Sequence, residues 1–207
     1  MEELFKGVKE FSKYEYEKNK LLYKNLSTKQ NPHTLFIGCS DSRVIPNLIT
    51  KSLPGDLFII RNIANIVPPF RQSSEYLSTT SAIEYAVNVL DVQNIVICGH
   101  TNCGGCKALF SEEVETNNIP HTKKWLELAK PAKEKVEKLK EQFNYDSTDW
   151  LVEQENIILQ INHLLSYPYI KEKYQNKSLK IYGWYYDIGN GIVYNYSKSK
   201  EIFEPIE

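Results

Sequence analysis

Apolar residues recur along the chain with two spacings, one typical of amphipathic helices and one typical of buried strands. Between residues 2 and 26, leucines, a valine and a phenylalanine recur at helical spacing among charged residues, which predicts one or two amphipathic helices. Three later runs are short and apolar, namely Thr34–Gly38 (TLFIG), Leu57–Ile60 (LFII) and Asn94–Cys98 (NIVIC). Such continuous apolar character is typical of parallel strands that are covered on both faces.

Helical patterns lie between and after these runs. Residues 78–90 carry an apolar stripe at helical spacing, and residues 123–143 predict a Lys- and Glu-rich helix with a break near Pro131. A further amphipathic helix is predicted around Ile157 and is expected to end at Pro168. Helices therefore alternate with strands along most of the chain.

The last segment, residues 179–196, predicts two strands joined by a turn at Gly189–Gly191. Together with the alternation before it, this pattern favours an α/β fold with a mostly parallel β-sheet flanked by helices. No repeat or linker divides the sequence, so we expect a single domain over residues 1–207. Residues 1–28 would form an amphipathic helical N-terminal extension.

Composition narrows the classes of partner. The chain has 207 residues, of which 42% are apolar and 25% are charged, as in ordinary globular proteins. The net charge is −1 and no block of Lys or Arg stands apart, so neither nucleic acid nor a membrane surface is an expected partner. No apolar run approaches the roughly 20 residues of a spanning helix, and the first residues show no secretory leader. We therefore expect a cytoplasmic protein.

Cysteine and histidine cluster in two short motifs, each directly after a predicted strand. The first is CSDSR, beginning at Cys39, and the second is HTNCGGC, beginning at His100. Carboxyl ends of parallel strands meet at one edge of a sheet, so both motifs are expected at the same site. Cys39, His100 and Cys103 together offer a Cys₂His set, which leaves one zinc position open, as in catalytic sites. In a reducing cytosol, metal binding explains the four cysteines better than disulfides do.

Asp41 and Arg43 flank the first of these cysteines. A guanidinium can hold a carboxylate with two hydrogen bonds, and in an extended segment Asp41 would stand on the same side as Cys39. Arg43 would then keep Asp41 from closing the open position. The Gly-Gly pair after Cys103 would let backbone pass close to the metal, and a helix beginning there would favour the thiolate.

Simpler interpretations of these residues remain. Cys103 and Cys106 have the C-x-x-C spacing of a redox pair, but that interpretation leaves Cys39 and His100 unexplained. Cys98 and Cys106 are better interpreted as small buried residues. Asp41 and Arg43 would contribute little as a plain surface ion pair.

The motifs resemble those of the bacterial β-class carbonic anhydrases. That family has C-x-D-x-R and H-x-x-C in this order, and the likeness extends to PGDLFIIRNIANIVPP, AIEYAV and GWYYDIGNG. The resemblance implies zinc-dependent, reversible hydration of carbon dioxide to bicarbonate and a proton through a zinc-bound hydroxide. It implies one zinc per chain and a homodimer or homotetramer in which the N-terminal extension packs on a neighbouring subunit.

Roles carried over from the family fall on individual residues. Cys39, His100 and Cys103 would bind zinc, Asp41 would accept a hydrogen bond from the hydroxide, and Arg43 would hold Asp41. Asp41 would itself be a zinc ligand only in a closed form. The substrate pocket, shared between subunits, would be formed by Gln30, Phe58, Ile63, Tyr85 and Gly104.

Some relatives bind a second, inhibitory bicarbonate with a tryptophan, an arginine and a tyrosine, which lets the aspartate close the zinc. Arg61 and Tyr186 occupy two of these positions, but the third is Phe36. Phenylalanine cannot donate a hydrogen bond, so we expect an open site with Asp41 paired to Arg43 and with Arg61 in a structural role.

Two alternative functions stay open from the residues alone. The same fold and ligands resemble those of hydrolases of carbon disulfide or carbonyl sulfide. A non-catalytic zinc or redox-binding module is also conceivable, although intact Asp41 and Arg43 argue against a dead site.

Overall fold

The computed structural model describes residues 1–73, 75, 77–110, 118–143 and 149–207. Its strands form one six-stranded sheet in the order β2-β1-β3-β4-β5-β6. Strands β1 to β4 run parallel, and β5 and β6 are antiparallel additions at one edge. The strands are β1 Thr34–Cys39, β2 Leu57–Asn62, β3 Asn94–His100, β4 Lys180–Asp187, β5 Ile192–Ser197 and β6 Ile202–Pro205.

The three apolar runs are confirmed as parallel strands, and each extends further than the apolar pattern indicates. β1 ends at Cys39 and β3 ends at His100, so two of the three expected metal ligands are the last residues of their strands. The turn at residues 189–191 is confirmed between β4 and β5. Strand β6 was not predicted, because it contains only four residues and has no continuous apolar run.

Among the described residues, helices form both the N-terminal extension and the connections between the parallel strands. Their bounds are α1 Glu2–Glu10, α2 Tyr16–Lys18, α3 Lys20–Leu26, α4 Pro46–Thr50, α5 Ser78–Asn88, α6 Gly104–Ala108, α7 Pro120–Leu126, α8 Lys130–Phe143, α9 Asp149–Leu164 and α10 Pro168–Gln175. A π-helical turn, Phe11–Glu15, joins α1 to α2, and 3₁₀ turns lie at Ile63–Asn65 and Glu127–Ala129. The prediction for α9 was wrong at its end, since the helix stops at Leu164 and Pro168 instead begins α10.

Helix α9 packs closely on the centre of the sheet because two strand glycines leave room for it. A Cβ on Gly99 of β3 would lie 2.8 Å from Cδ1 of Ile157, and one on Gly183 of β4 would lie 2.8 Å from Cγ2 of the same residue. Ile157 is fully buried between helix and sheet, a burial that contributes roughly 1.5–3 kcal/mol. The carboxyl half of β3, which ends at His100, is therefore held tightly against α9.

The N-terminal extension is the least packed part of the described chain. Helices α1 to α3 and the turn at Phe11–Glu15 contain no buried residue. Leu4, Phe5 and Val8 are 59–66% exposed, although they form the apolar face of an amphipathic helix. Exposed apolar faces of this kind are typical of interaction surfaces. No helix among the described residues combines the length and apolar character that crossing a membrane requires.

Candidate metal centre and active site

Strand register brings the two motifs together. Gly38 pairs with Cys98 across β1 and β3, so Cys39, the next residue of β1, and His100, two residues further along β3, lie at the same carboxyl edge. Cys103 follows β3 after a turn through Asn102, whose φ is +56°, and precedes the first residue of α6. The ligand atoms of Cys39, His100 and Cys103 all lie within 4.8 Å of one another.

The donor set suits a divalent cation that accepts sulfur and nitrogen. Nδ1 of His100 lies 3.0 Å from the carbonyl oxygen of Thr101 and donates a hydrogen bond to it. Nε2 is then the unprotonated ring nitrogen, with a lone pair available to a metal. That Nε2 is buried and has no hydrogen-bond partner among the described residues. Cys39 and Cys103 are at most 5% exposed. A buried orphan nitrogen facing two buried sulfurs fits zinc.

The surroundings of both sulfurs favour the protonated thiol. Hydrogen bonding with Cys103 and burial raise the pKa of Cys39 to about 12, and Sγ of Cys39 lies 3.9 Å from Sγ of Cys103. Hydrogen bonding with Cys106 and burial raise the pKa of Cys103 to about 12. The thiolate-favouring effect expected of the helix start does not prevail, because burial and neighbouring thiols act against it. A cation in the cluster would therefore have to displace both protons.

Cys98 and Cys106 are confirmed as buried thiols, and all four cysteines are free. No disulfide forms among the described residues.

Asp41 and Arg43 form a bidentate ion pair beside this cluster. Nε of Arg43 donates to Oδ1 of Asp41 at 2.9 Å, and Nη2 donates to Oδ2 at 2.8 Å. These bonds hold the pKa of the Asp41 carboxyl well below its usual range. A turn that the sequence pattern did not indicate follows Asp41. The amide of Arg43 donates to Oδ1 of Asp41, and the amide of Val44 donates to the carbonyl of Asp41.

Arg61 lies beneath the same turn. Its Nε donates to the carbonyl of Cys39 at 3.0 Å and its Nη2 donates to the carbonyl of Asp41 at 2.6 Å. Phe36 is fully buried and packs edge-on against Trp184, with ring centroids 6.1 Å apart. Arg61 is thus engaged in holding the loop backbone, as expected of a structural residue.

Comparison with known proteins gives the family. The family model described as carbonic anhydrase matches residues 34–193. A carbonic anhydrase of Helicobacter pylori (strain J99) is 46% identical over 208 residues, covering 99% of this chain and 94% of the relative. The solved structure of the β-carbonic anhydrase CcaA has a TM-score of 0.93 at 33% identity and covers 100% of this chain and 92% of its own. The chain belongs to the β-class carbonic anhydrase family.

A further β-carbonic anhydrase structure has a TM-score of 0.79. It comes from Sordaria macrospora, is 32% identical, and covers 94% of this chain and 95% of its own. That fungal protein is described as tetrameric. The chain is accordingly an enzyme of the carbonic anhydrase class, and its family and fold support hydration of carbon dioxide.

Two expected pocket residues of this carbonic anhydrase lie beside the metal cluster. Gly104 is exposed, and a Cβ there would meet nothing within 4 Å. A Cβ on Gly105 would lie 2.9 Å from Cβ of Ala64 and 3.0 Å from Cγ2 of Ile63, which places Ile63 against the start of α6. Gly105 therefore allows close packing of α6 on the Ile63–Ala64 turn.

The other three expected pocket residues lie away from the cluster of their own chain. Gln30 is exposed and lies three residues before His33, whose amide donates to the carbonyl of Asp56 at the amino edge of the sheet. Phe58 packs on Tyr85, with ring centroids 6.0 Å apart. Asn62, not Phe58, pairs with Cys39, and the four residue steps from Phe58 to Asn62 span about 13 Å of strand.

Glu153 of α9 is a site residue that the sequence pattern did not single out. It is 2% exposed; its Oε1 accepts from the amide of Cys103 at 2.8 Å and its Oε2 accepts from the hydroxyl of Tyr185 at 2.8 Å. Burial, with the neighbouring Glu153 carboxylate, raises the pKa of Tyr185. The available signal was the helical spacing of Glu153, Asn156 and Gln160, which resembles a solvated face but is buried.

Proposed function

We propose that this chain catalyses the reversible hydration of carbon dioxide to bicarbonate and a proton, with one zinc held by Cys39, His100 and Cys103. The observation that carries the proposal is the buried donor set within 4.8 Å, next to a carboxylate that Arg43 holds. Three protein ligands leave a fourth position for the reaction, whereas structural zinc sites are closed by four.

Zinc bound there would supply a nucleophile near neutral pH, because it lowers the pKa of water from 15.7 to about 7. Asp41 would accept a hydrogen bond from the reacting water and so turn a lone pair of the water oxygen toward the substrate carbon. Arg43 binds both oxygens of Asp41, which keeps the carboxylate oriented and prevents it from taking the fourth position. The bond from Nδ1 of His100 to Thr101 fixes the imidazole plane.

The substrate is small, apolar and uncharged, so it needs an apolar slot. Ile63 and Gly104 supply one wall from the same chain. We assign Gln30, Phe58 and Tyr85 to the site of a neighbouring copy. The metal cluster of their own chain lies at the opposite end of β1 and β2. The working unit is then a homodimer or homotetramer, and the exposed apolar face of α1 is the natural surface for the neighbour.

Stopped-flow measurement of carbon dioxide hydration on protein of known zinc content tests this function. We expect a rate proportional to bound zinc, with carbon disulfide and carbonyl sulfide turned over far more slowly in parallel assays. Faster turnover of either sulfur gas would assign the site to the alternative hydrolases. A fully zinc-loaded protein without carbon dioxide hydration would support the non-catalytic alternative.

A further inference from the structure

The peptide group between Asn102 and Cys103 is hydrogen bonded at both of its polar atoms. Nη2 of Arg43 donates to the carbonyl of Asn102 at 3.2 Å, and the amide of Cys103 donates to Oε1 of Glu153 at 2.8 Å. These two atoms belong to one rigid, planar unit. The plane that leads into the Cys103 ligand is thus held between the Asp41–Arg43 pair and a buried carboxylate.

This peptide follows a turn whose backbone conformation is unfavourable without stabilising contacts. Asn102 has a φ of +56°, a left-handed conformation that is disfavoured for residues other than glycine. The helix that follows contains only five residues, Gly104–Ala108, so it anchors the turn weakly. Hydrogen bonds from outside the loop therefore decide where Cys103 sits.

Burying the carboxylate of Glu153 costs free energy unless hydrogen bonds replace its hydration. A carboxylate that is 2% exposed must have hydrogen-bond donors, and the amide of Cys103 and the hydroxyl of Tyr185 are two of them. Its position depends on the close approach of α9, whose backbone at Glu153 lies 3.6 Å from where a Cβ on Gly99 would be. Gly99 directly precedes the ligand His100, so α9 contacts the chain beside two of the three ligands.

We propose that Glu153 is a positioning residue of the metal centre: its carboxylate fixes the Asn102–Cys103 peptide and thereby sets the distance of the Cys103 sulfur from Cys39 and His100. This inference rests on the proposed zinc site. A continuous chain of hydrogen bonds then links Asp41, Arg43, the peptide, Glu153 and Tyr185.

Comparing Glu153→Met with Glu153→Gln tests the proposal. Both replacements fill the buried space with an unbranched chain of similar length, but methionine offers no comparable acceptor to the amide of Cys103. Glutamine keeps one, since its oxygen accepts from Cys103 while its NH₂ donates to the Tyr185 oxygen, which both accepts and donates. We expect Glu153→Met to bind zinc about 10- to 100-fold more weakly in chelator competition. Glu153→Gln should stay within a few-fold of wild type.

A matched control lies on the same helix. Gln160 is fully buried and accepts from the amide of Val67 at 2.8 Å, away from the metal ligands. Gln160→Met should lower thermal stability while leaving zinc affinity unchanged. The Co²⁺-substituted proteins give a second readout, because displacement of the Cys103 sulfur should shift the sulfur-to-metal absorption band. We expect this shift in Glu153→Met but not in Glu153→Gln or Gln160→Met.

The outcomes separate cleanly. Wild-type zinc affinity and spectrum in folded Glu153→Met would overturn the positioning role, and so would equal weakening by Gln160→Met. If Glu153→Met does not fold, Glu153→Gln decides, since loss of zinc affinity in that folded variant contradicts the proposal. Failure of the wild-type chain to take up zinc would refute the proposed function itself, and this inference with it.

Discussion

Oδ2 of Asp41 lies 3.9 Å from Nε2 of His100, within reach of the metal cluster but outside hydrogen-bond distance. The same oxygen accepts from Nη2 of Arg43 at 2.8 Å. The carboxylate is therefore poised beside the donor set and held there by a partner on its far side. This pairing supports the open site that we propose, and it determines how variants of the pair should behave.

Arg43→Ala and Asp41→Asn should each lower carbon dioxide hydration by about 10- to 100-fold while zinc stays bound, because they orient the reacting water and do not hold the metal. Stopped-flow rates normalised to zinc content check this. Arg71→Ala is the matched control, since Arg71 forms an exposed ion pair with Glu75 elsewhere on the surface. Near wild-type rates in both site variants would remove the pair from the mechanism.

Cys39→Ser and Cys103→Ser should both abolish stoichiometric zinc, because two remaining protein ligands are too few for a stable site. Cys106→Ser serves as the control, as Cys106 is equally buried one turn further along but outside the ligand set. Metal analysis after gel filtration gives the result. Zinc retained by Cys103→Ser and lost by Cys106→Ser would show that the ligand assignment is wrong.

Bicarbonate should not sharpen the loss of activity at acid pH. Arg61 already donates to the carbonyls of Cys39 and Asp41, and Phe36 offers no hydrogen-bond donor for an inhibitory anion. The pH–rate profile should then follow a single ionisation with and without added bicarbonate. A cooperative acid-side collapse that bicarbonate steepens would contradict an open site.

Replacing Leu4 and Val8 together by glutamate should dissociate the oligomer and abolish hydration, because Gln30, Phe58 and Tyr85 then no longer reach a neighbouring site. Sedimentation velocity and stopped-flow assay at one protein concentration measure both effects. Lys6→Glu changes charge on the exposed polar face of the same helix and should leave assembly intact. A fully active monomer would refute the shared pocket.

His163 should make stability depend on pH. Burial lowers its pKa below 6.5, and its Nδ1 lies 2.8 Å from the carbonyl of Val67. The unfolded chain therefore binds the proton more readily, so the contribution of His163 to the free energy of unfolding is largest above pH 6.5 and is lost as the pH drops below it. In urea titrations of the metal-free protein, His163→Asn should reduce the slope of the free energy of unfolding against pH between pH 7 and 5. His121→Asn, at an exposed position, should not; equal slopes in wild type and His163→Asn would contradict the prediction.

The sequence by itself determined the parallel strands and the three residues of the candidate metal site, because both are carried by short local patterns. Continuous apolar runs predicted β1, β2 and β3. The positions of Cys39, His100 and Cys103 after the first and third of these runs predicted the metal cluster. The turn at Asp41 and the strand β6 were missed, because neither has a strong local signature.

Only the tertiary structure decided which polar residues support the cluster. Glu153 and Cys103 are 50 residues apart, and no local pattern links them. Their contact depends on how closely α9 packs on the sheet, which Gly99 and Gly183 permit through the space that their missing side chains leave. A helical stripe of Glu153, Asn156 and Gln160 has the same spacing whether it faces water or the core, so its burial is a property of packing and cannot be read from periodicity.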